Sequence, residues 1–156
     1  MLYIRDATPQ DAEEATEVMR RSIIELCQDD HQNDPKVLDS WLNNKRPEVF
    51  RSWLEGTCQS YLVAVENGQI KCVGAVTNGG LITLNYVSPD ARFRGVSRTM
   101  LAALEQRARE QGNRECRLAS TATARRFYAS CGYVEAGTSE GLFGGRSGFP
   151  MRKTLL

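Results

Sequence analysis

The chain has 156 residues, 41% hydrophobic and 25% charged, a balance that fits a packed globular core and argues against a disordered, collagenous or membrane-embedded polypeptide. Twenty Lys and Arg stand against nineteen Asp and Glu, so the formal charge of +1 gives no broad attraction for nucleic acid or an anionic membrane. Function must therefore be sought in local sites. The five cysteines form no CxxC pair, and four of them sit in apolar runs, as buried reduced thiols do. The opening MLYIRDATPQ has no apolar targeting core, and no run approaches the roughly 18 apolar residues of a membrane span. The expectation is a soluble cytoplasmic protein with a single domain over residues 1–156 and no metal.

Leu2-Tyr3-Ile4-Arg5 reads as a short strand, and Thr8 can cap a helix whose first turn holds Pro9 and Asp11. Ala15, Val18, Met19, Ser22, Ile23 and Leu26 then recur at helical spacing. The polar segment Gln28 to Asp34 breaks that helix. Asp34-Pro35 restarts one with Val37, Leu38, Trp41 and Leu42 on a face, and Val49, Phe50, Trp53 and Leu54 mark a third that stops at Gly56.

From Ser60 the pattern changes to strands. Tyr61 to Val65, Ile70 to Val76 and Leu81 to Val87 are joined by turns at Asn67-Gly68 and Asn78-Gly79-Gly80, which predicts an antiparallel meander. Ser88-Pro89 ends it. A helix runs from Gly95 to Gly112 with Val96, Met100, Ala103, Leu104 and Ala108 inward. A short strand at Cys116 to Leu118, a helix carrying Ala124, Phe127, Tyr128 and Cys131, and strands at Tyr133-Val134 and Met151 to Leu155 complete an α+β order.

The segment Ser88 to Ser97 joins a strand to a helix and places Arg92, Arg94 and Gly95 where the helix begins. Helix starts carry unpaired N–H groups and the positive end of the dipole, which suit a bound anion, and a small residue lets a pyrophosphate approach the main chain. Neither GxxxxGK[ST] nor GxGxxG is present. The run Leu84 to Leu101, with Arg92, Gly95 and Ser97 as its core, resembles the acetyl-CoA-binding motif of the GNAT superfamily of N-acyltransferases, whose core is Arg or Gln, two residues, Gly, one residue, then Gly or Ala. Three further segments resemble the same family in order: Ile4 to Ala12 the first strand and helix entry, Ser120 to Tyr133 the second CoA segment with its aromatic-Tyr pair, and Met151 to Leu155 the closing strand.

The resemblance implies a mixed, mostly antiparallel twisted sheet of about seven strands flanked by helices, with acetyl-CoA as acyl donor and partner. It implies main-chain contacts to pantetheine from Tyr86 and Val87, a pyrophosphate wrapped by Phe93, Arg94, Gly95, Val96, Ser97 and Arg98, and added charge from Arg92. Thr121, where many members carry Asn, and Ala124 would lie along the arm. Tyr128 falls at the position of the usual acid, a phenol placed to donate to the departing thiolate. Some members place a glutamate base on the fourth strand, but Leu81 stands there. Asn85 and Tyr86 could order a water, and Glu25, Asp29, Asp30 or His31 could overlie the acceptor, so the base stays unassigned. His31 itself reads more readily as a solvated loop residue.

The acids Glu25, Asp29, Asp30, Asp34 and Asp39 beside Trp41 could favour a cationic amine; helix capping and loop solvation explain them better. The stretch Gly137 to Gly148, with Phe143 and Arg146, is either an acceptor wall or a flexible connection. The implied activity is acetyl transfer to a primary amine of a small molecule, peptide or protein, against a non-catalytic acyl-CoA sensor of the same fold or, more weakly, O-acyl transfer. No nucleic-acid or membrane partner is implied, and monomer or homodimer stays open.

Overall fold

Leu2–Asp6 forms β1, a 3-10 turn at Pro9–Asp11 follows, and Ala12–Leu26 forms α1 in a computed structural model that describes residues 1–137, 140–142 and 146–155. Asp11 closes this entry. Its carboxylate accepts from Thr8 N at 2.7 Å and from both terminal nitrogens of Arg5 at 2.8 and 2.9 Å, tying the strand to the helix start. The predicted stripe of α1 is the buried one, with Ala15, Val18, Met19 and Ile23 turned inward.

The segment after α1 differs from the expected polar break. Gln28–His31 is one helical turn, α2, because the His31 ring is an inward plug with 0% exposure, not a solvated loop side chain. Its Nε2 faces Ile23 O at 2.9 Å and its Nδ1 accepts from Asn33 N at 2.9 Å. The stop comes from Gln32 and Asn33 in the left-handed region, after which Asp34 caps α3 (Pro35–Leu42) by accepting from Lys36 N at 2.9 Å. A fourth helix, α4, spans Pro47–Leu54.

Strands β2 (Gln59–Glu66), β3 (Gln69–Thr77) and β4 (Leu81–Val87) form the predicted meander, with β1 antiparallel to β2. Helix α5 (Val96–Glu110) crosses over to β5 (Glu115–Ser120), parallel to β4, and α6 (Arg125–Ser130) leads to β6 (Val134–Glu135), β7 (Glu140–Leu142) and β8 (Arg146–Thr154). The seven-strand path is β1-β2-β3-β4-β5-β8-β6, and β7 pairs with β8 alone. Two boundaries move. Tyr133 is a buried side chain before β6, not a strand residue, and β8 begins at Arg146, so part of the glycine-rich stretch is paired backbone. Phe143 lies outside the described residues.

Helices cover both faces of the sheet. Alternation along β2 sends Val63 and Val65 toward α1 and Phe50 of α4, while Leu62 and Ala64 meet Met100 and Leu104 of α5. Full burial of side chains such as Phe50, Met19 and Met100 contributes about 1.5–3 kcal/mol each. Gly74 permits the close approach of α5, since a Cβ there would stand 2.5 Å from Met100 Sδ.

One irregularity in β4 opens the sheet. Strands β4 and β5 pair only at Leu81 with Arg117 and Ile82 with Leu118 among the described residues, then part. At that point β4 is bulged against β3: Leu84 opposes Ala75 and Ile82 opposes Val76, leaving Thr83 as the extra residue. A bulge bends its strand, and here it bends β4 away from β5.

Candidate active site

The parting of β4 and β5 opens a cleft of about 480 Å³. Its walls are Thr83 to Val87 of β4, the connection into α5, Ser120 at the end of β5 with Thr121 after it, and Ala124, Phe127 and Tyr128 at α6; Ser22 and Leu26 of α1 and Cys27 just past it roof the cleft. Among the described residues the β5-facing edge of Thr83 to Val87 has no strand partner, which leaves main-chain donors and acceptors for an extended amide-bearing ligand. Of the residues expected at the site, Tyr86, Val87, Arg92, Phe93, Gly95, Val96, Ser97, Arg98, Thr121, Ala124 and Tyr128 line this one space. Arg94 departs from the set. Its guanidinium reaches Glu66 at the end of β2, at 2.6 Å, and only its backbone belongs to the loop.

The loop itself is built for close approach. Phe93 and Gly95 both adopt positive φ, 66° and 79°, which aims successive amides outward before α5 begins. A Cβ on Gly95 would meet nothing within 4 Å, so the glycine answers a backbone demand and leaves open space above the helix start. The first helical bond runs from Thr99 N to Gly95 O at 3.0 Å. The amides of Val96, Ser97 and Arg98 precede any intrahelical acceptor, the kind of unpaired donors that suit an anion. Arg92 lies over the Phe93 ring at 4.4 Å, while Arg98 donates to Ser130 Oγ at 3.0 Å and braces α5 against α6.

At the other end stands Tyr128, 8% exposed, edge-on to Phe127 and to Tyr133 at 5.1 and 5.7 Å. Tyr133 is fixed in turn by donating to Glu105 Oε2 at 2.8 Å. Burial pushes the Tyr128 phenol well above its usual range, only partly offset by its hydrogen bond with Asn85, so the hydroxyl is a neutral donor. Asn85 also reaches Ser97 O at 3.4 Å and accepts from Cys72 Sγ at 3.4 Å, which links β4, the helix start and the phenol. The next residue, Tyr86, turns the other way and its hydroxyl accepts from Trp41 Nε1 at 3.0 Å. Burial pushes the Cys27 thiol in the roof up to about 12, so it stays protonated.

Among the described residues lining the cleft, none is a carboxylate or an imidazole. His31 is buried with both ring nitrogens engaged, Glu25 pairs with Arg21 at 3.0 Å, and Leu81 pairs with Arg117 outside the cleft wall. Asp30 is not in a solvated loop and is not among the residues lining the cleft. It is 4% exposed and instead holds the Thr121–Ala124 turn, accepting from Ala122 N at 2.7 Å and from the Thr123 hydroxyl. No local pattern in the sequence signals that role, because the two partners are 92 residues apart. Among the described residues no group of three His, Cys, Asp or Glu could hold a metal, and no helix is long and apolar enough to cross a membrane.

A family model described as an acetyltransferase (GNAT) domain matches residues 7–155. The chain belongs to the GNAT acetyltransferases. Solved GNAT structures share its fold over nearly the full length. A GCN5-related N-acetyltransferase structure from Rhodopseudomonas palustris, 26% identical, superposes with a TM-score of 0.87 over 98% of this chain and 95% of that one. The PaiA N-acetyltransferase of Thermoplasma acidophilum, solved in complex with coenzyme A, is 21% identical with a TM-score of 0.80, covering 99% of both chains. The ribosomal-protein-S18-alanine N-acetyltransferase of Escherichia coli is 19% identical, with a TM-score of 0.71 over 99% of this chain and 94% of that one. A search of the curated proteins finds no match. This GNAT chain thus carries the V-shaped parting of two parallel strands, with the cradle and the phenol along one cleft.

Proposed function

We propose that the protein transfers the acetyl group of acetyl-CoA directly to a primary amine. The observation that carries this reading is the alignment, in one cleft, of uncommitted amides at the start of α5, an unpaired β4 edge and the neutral Tyr128 hydroxyl. The amides of Val96, Ser97 and Arg98, with Arg92 nearby, suit the pyrophosphate, and each bond to a charged oxygen contributes about 1.5–3 kcal/mol. Main-chain groups of Tyr86 and Val87, with Thr121 and Ala124 opposite, suit the pantetheine arm.

Acetyl-CoA supplies the activated thioester, and the chain's own residues orient it and manage protons. Tyr128 is a protonated phenol at neutral pH, and burial only strengthens that state, so it can donate a hydrogen bond to sulfur as negative charge develops there. Because Cys27 stays protonated, direct attack by the amine is favoured over an acyl-cysteine intermediate. An amine of ordinary pKa near 10.4 is neutral in on the order of one molecule in a thousand at pH 7. Its proton must leave through water, since no described lining residue is a carboxylate or imidazole; Asn85 and the Thr121 hydroxyl, polar groups of the cleft wall, would order that water.

Incubation with acetyl-CoA and a panel of amines, followed by measurement of free thiol, tests the reading. Thiol release above hydrolysis with at least one amine is expected. Saturable acetyl-CoA binding without release for any amine would instead identify a non-catalytic sensor.

A further inference from the structure

A second cavity of about 500 Å³ lies against the opposite side of β4, walled by α3, α4 and the meander. It shares a wall with the first. Thr83, Leu84 and Tyr86 line both, at the bulge where β4 leaves β5.

Lys45, three residues past the end of α3, is the cation of this cavity, and it is 6% exposed. Its Nζ donates to Asn44 Oδ1 at 2.7 Å and to Trp41 O at 3.4 Å, and lies 6.0 Å from the centre of the Tyr86 ring. An ammonium has three donors, so one remains for a ligand. Among the described residues Lys45 takes part in no ion pair. A buried charge without a counter-ion is costly, and desolvation pulls this ammonium down to about 8. An anion entering the cavity would reverse that cost by restoring a paired charge.

Of the five acids that could have drawn a cationic acceptor, Asp29 and Asp39 are exposed and outside the cavity lining, and the other three are committed elsewhere. Asp30 is committed to the α6 turn, Asp34 to the α3 cap and Glu25 to Arg21, and the lining of the cavity includes no carboxylate among the described residues. Trp53 and Tyr61, stacked at 5.9 Å and 12°, supply an apolar wall, with Gln59 and Asn43 as uncharged polar neighbours.

We infer that this cavity is the acceptor subsite and takes an amine that carries a carboxylate, held by Lys45 while the amine reaches past Tyr86 into the cleft. The inference rests on the acetyl-transfer reading and names its substrate class, a free amino acid or related amino-carboxylate.

Binding is measured by isothermal titration in the presence of CoA, with N-acetyl derivatives of the twenty amino acids and the matching C-terminal amides as probes. At least one acid is expected to bind the wild-type protein roughly tenfold more tightly than its amide, because one charge-assisted bond is exchanged for a neutral one. Lys45→Gln should erase that preference and Lys45→Arg should keep most of it. No acid-over-amide preference across the wild-type panel, a preference that survives in Lys45→Gln, or tighter binding of phosphate-bearing amines than of carboxylates overturns the inference. The thermal shift given by acetyl-CoA alone is read in parallel on every variant. Its loss in the wild-type protein would count against the acetyl-transfer reading, whereas its retention without acid preference counts against the Lys45 subsite alone.

Discussion

Asp30 Oδ1 accepts a hydrogen bond from the Ala122 backbone N–H at 2.7 Å, so a carboxylate on the roof helices fixes the turn that carries Thr121 and leads into α6. The roof and this wall of the cleft are one hydrogen-bonded unit. Removing the carboxylate would strand a buried N–H and the Thr123 hydroxyl. Asp30→Ala should therefore lose about 1.5–3 kcal/mol of stability, read from the urea midpoint, and weaken acetyl-CoA binding as well. Asp30→Asn keeps one acceptor and should lose less. The neighbouring Asp29 is exposed, and Asp29→Ala provides the comparison; equal effects at the two positions would remove Asp30 from this role.

Tyr128→Phe tests the donor. The ring keeps its edge contacts with Phe127 and Tyr133, so the fold should hold while the hydroxyl is lost. Turnover should fall by about 10²–10⁴-fold, with acetyl-CoA affinity changed by less than about threefold. Steady-state kinetics with a thiol readout, alongside a binding titration, separates the two quantities. Unchanged turnover would exclude Tyr128 from proton transfer.

Much of this arrangement is legible in the order of the residues, and the reason differs by region. The meander announces itself through Asn67-Gly68 and Gly79-Gly80, because those turns need positive φ that few residues adopt. The cradle is legible because Gly95 must do the same. What escapes is whatever depends on pairing across long sequence separation. His31 reads as polar loop because its partners are main-chain groups, and main-chain groups leave no trace in residue type. Arg94 reads as a cofactor cation because Glu66 is 28 residues away. The Thr83 bulge, which bends β4 and opens the cleft, leaves no residue pattern at all: it is a register shift between two strands that each look regular.

Gly95→Val isolates the cradle. At φ 79° a β-branched residue is sterically opposed, with a strain on the order of 1–2 kcal/mol, while the open space around it means no neighbour is struck. The variant should fold and lose its response to acetyl-CoA. For the wild type, ligand at one hundred times its dissociation constant stabilises by about 2.7 kcal/mol, a shift easily read by thermal denaturation. A full shift in Gly95→Val would move the pyrophosphate site elsewhere.

Cys27→Ala addresses the order of events. The thiol lines the cleft, yet burial holds it protonated at neutral pH, so it has no nucleophilic role in direct transfer. The variant should keep turnover within about threefold, and initial-rate patterns should intersect, as they do when both substrates bind before transfer. Parallel lines in the wild type, with acetyl trapped on a tryptic peptide containing Cys27, would show a covalent route instead.

The acid limb of stability should report the Arg5 and Asp11 pair. The bidentate guanidinium holds the Asp11 carboxyl below its usual range, outweighing the desolvation that would raise it. A carboxylate whose folded pKa lies below its unfolded value of about 3.9 favours the folded state when ionised, so its contribution is fully present above about pH 5 and is lost as pH falls through the unfolded and then the folded value. Asp11→Asn removes the titration but keeps an oxygen for Thr8 N. The gap in urea midpoint between the two proteins should be constant from about pH 7 to about pH 5 and close steadily toward pH 2.5. Taking the difference cancels every other carboxyl that titrates alike in both chains, which leaves the slope to Asp11. A gap of the same size at both ends of the range would mean that the pair shapes the helix entry without contributing charge-dependent stability.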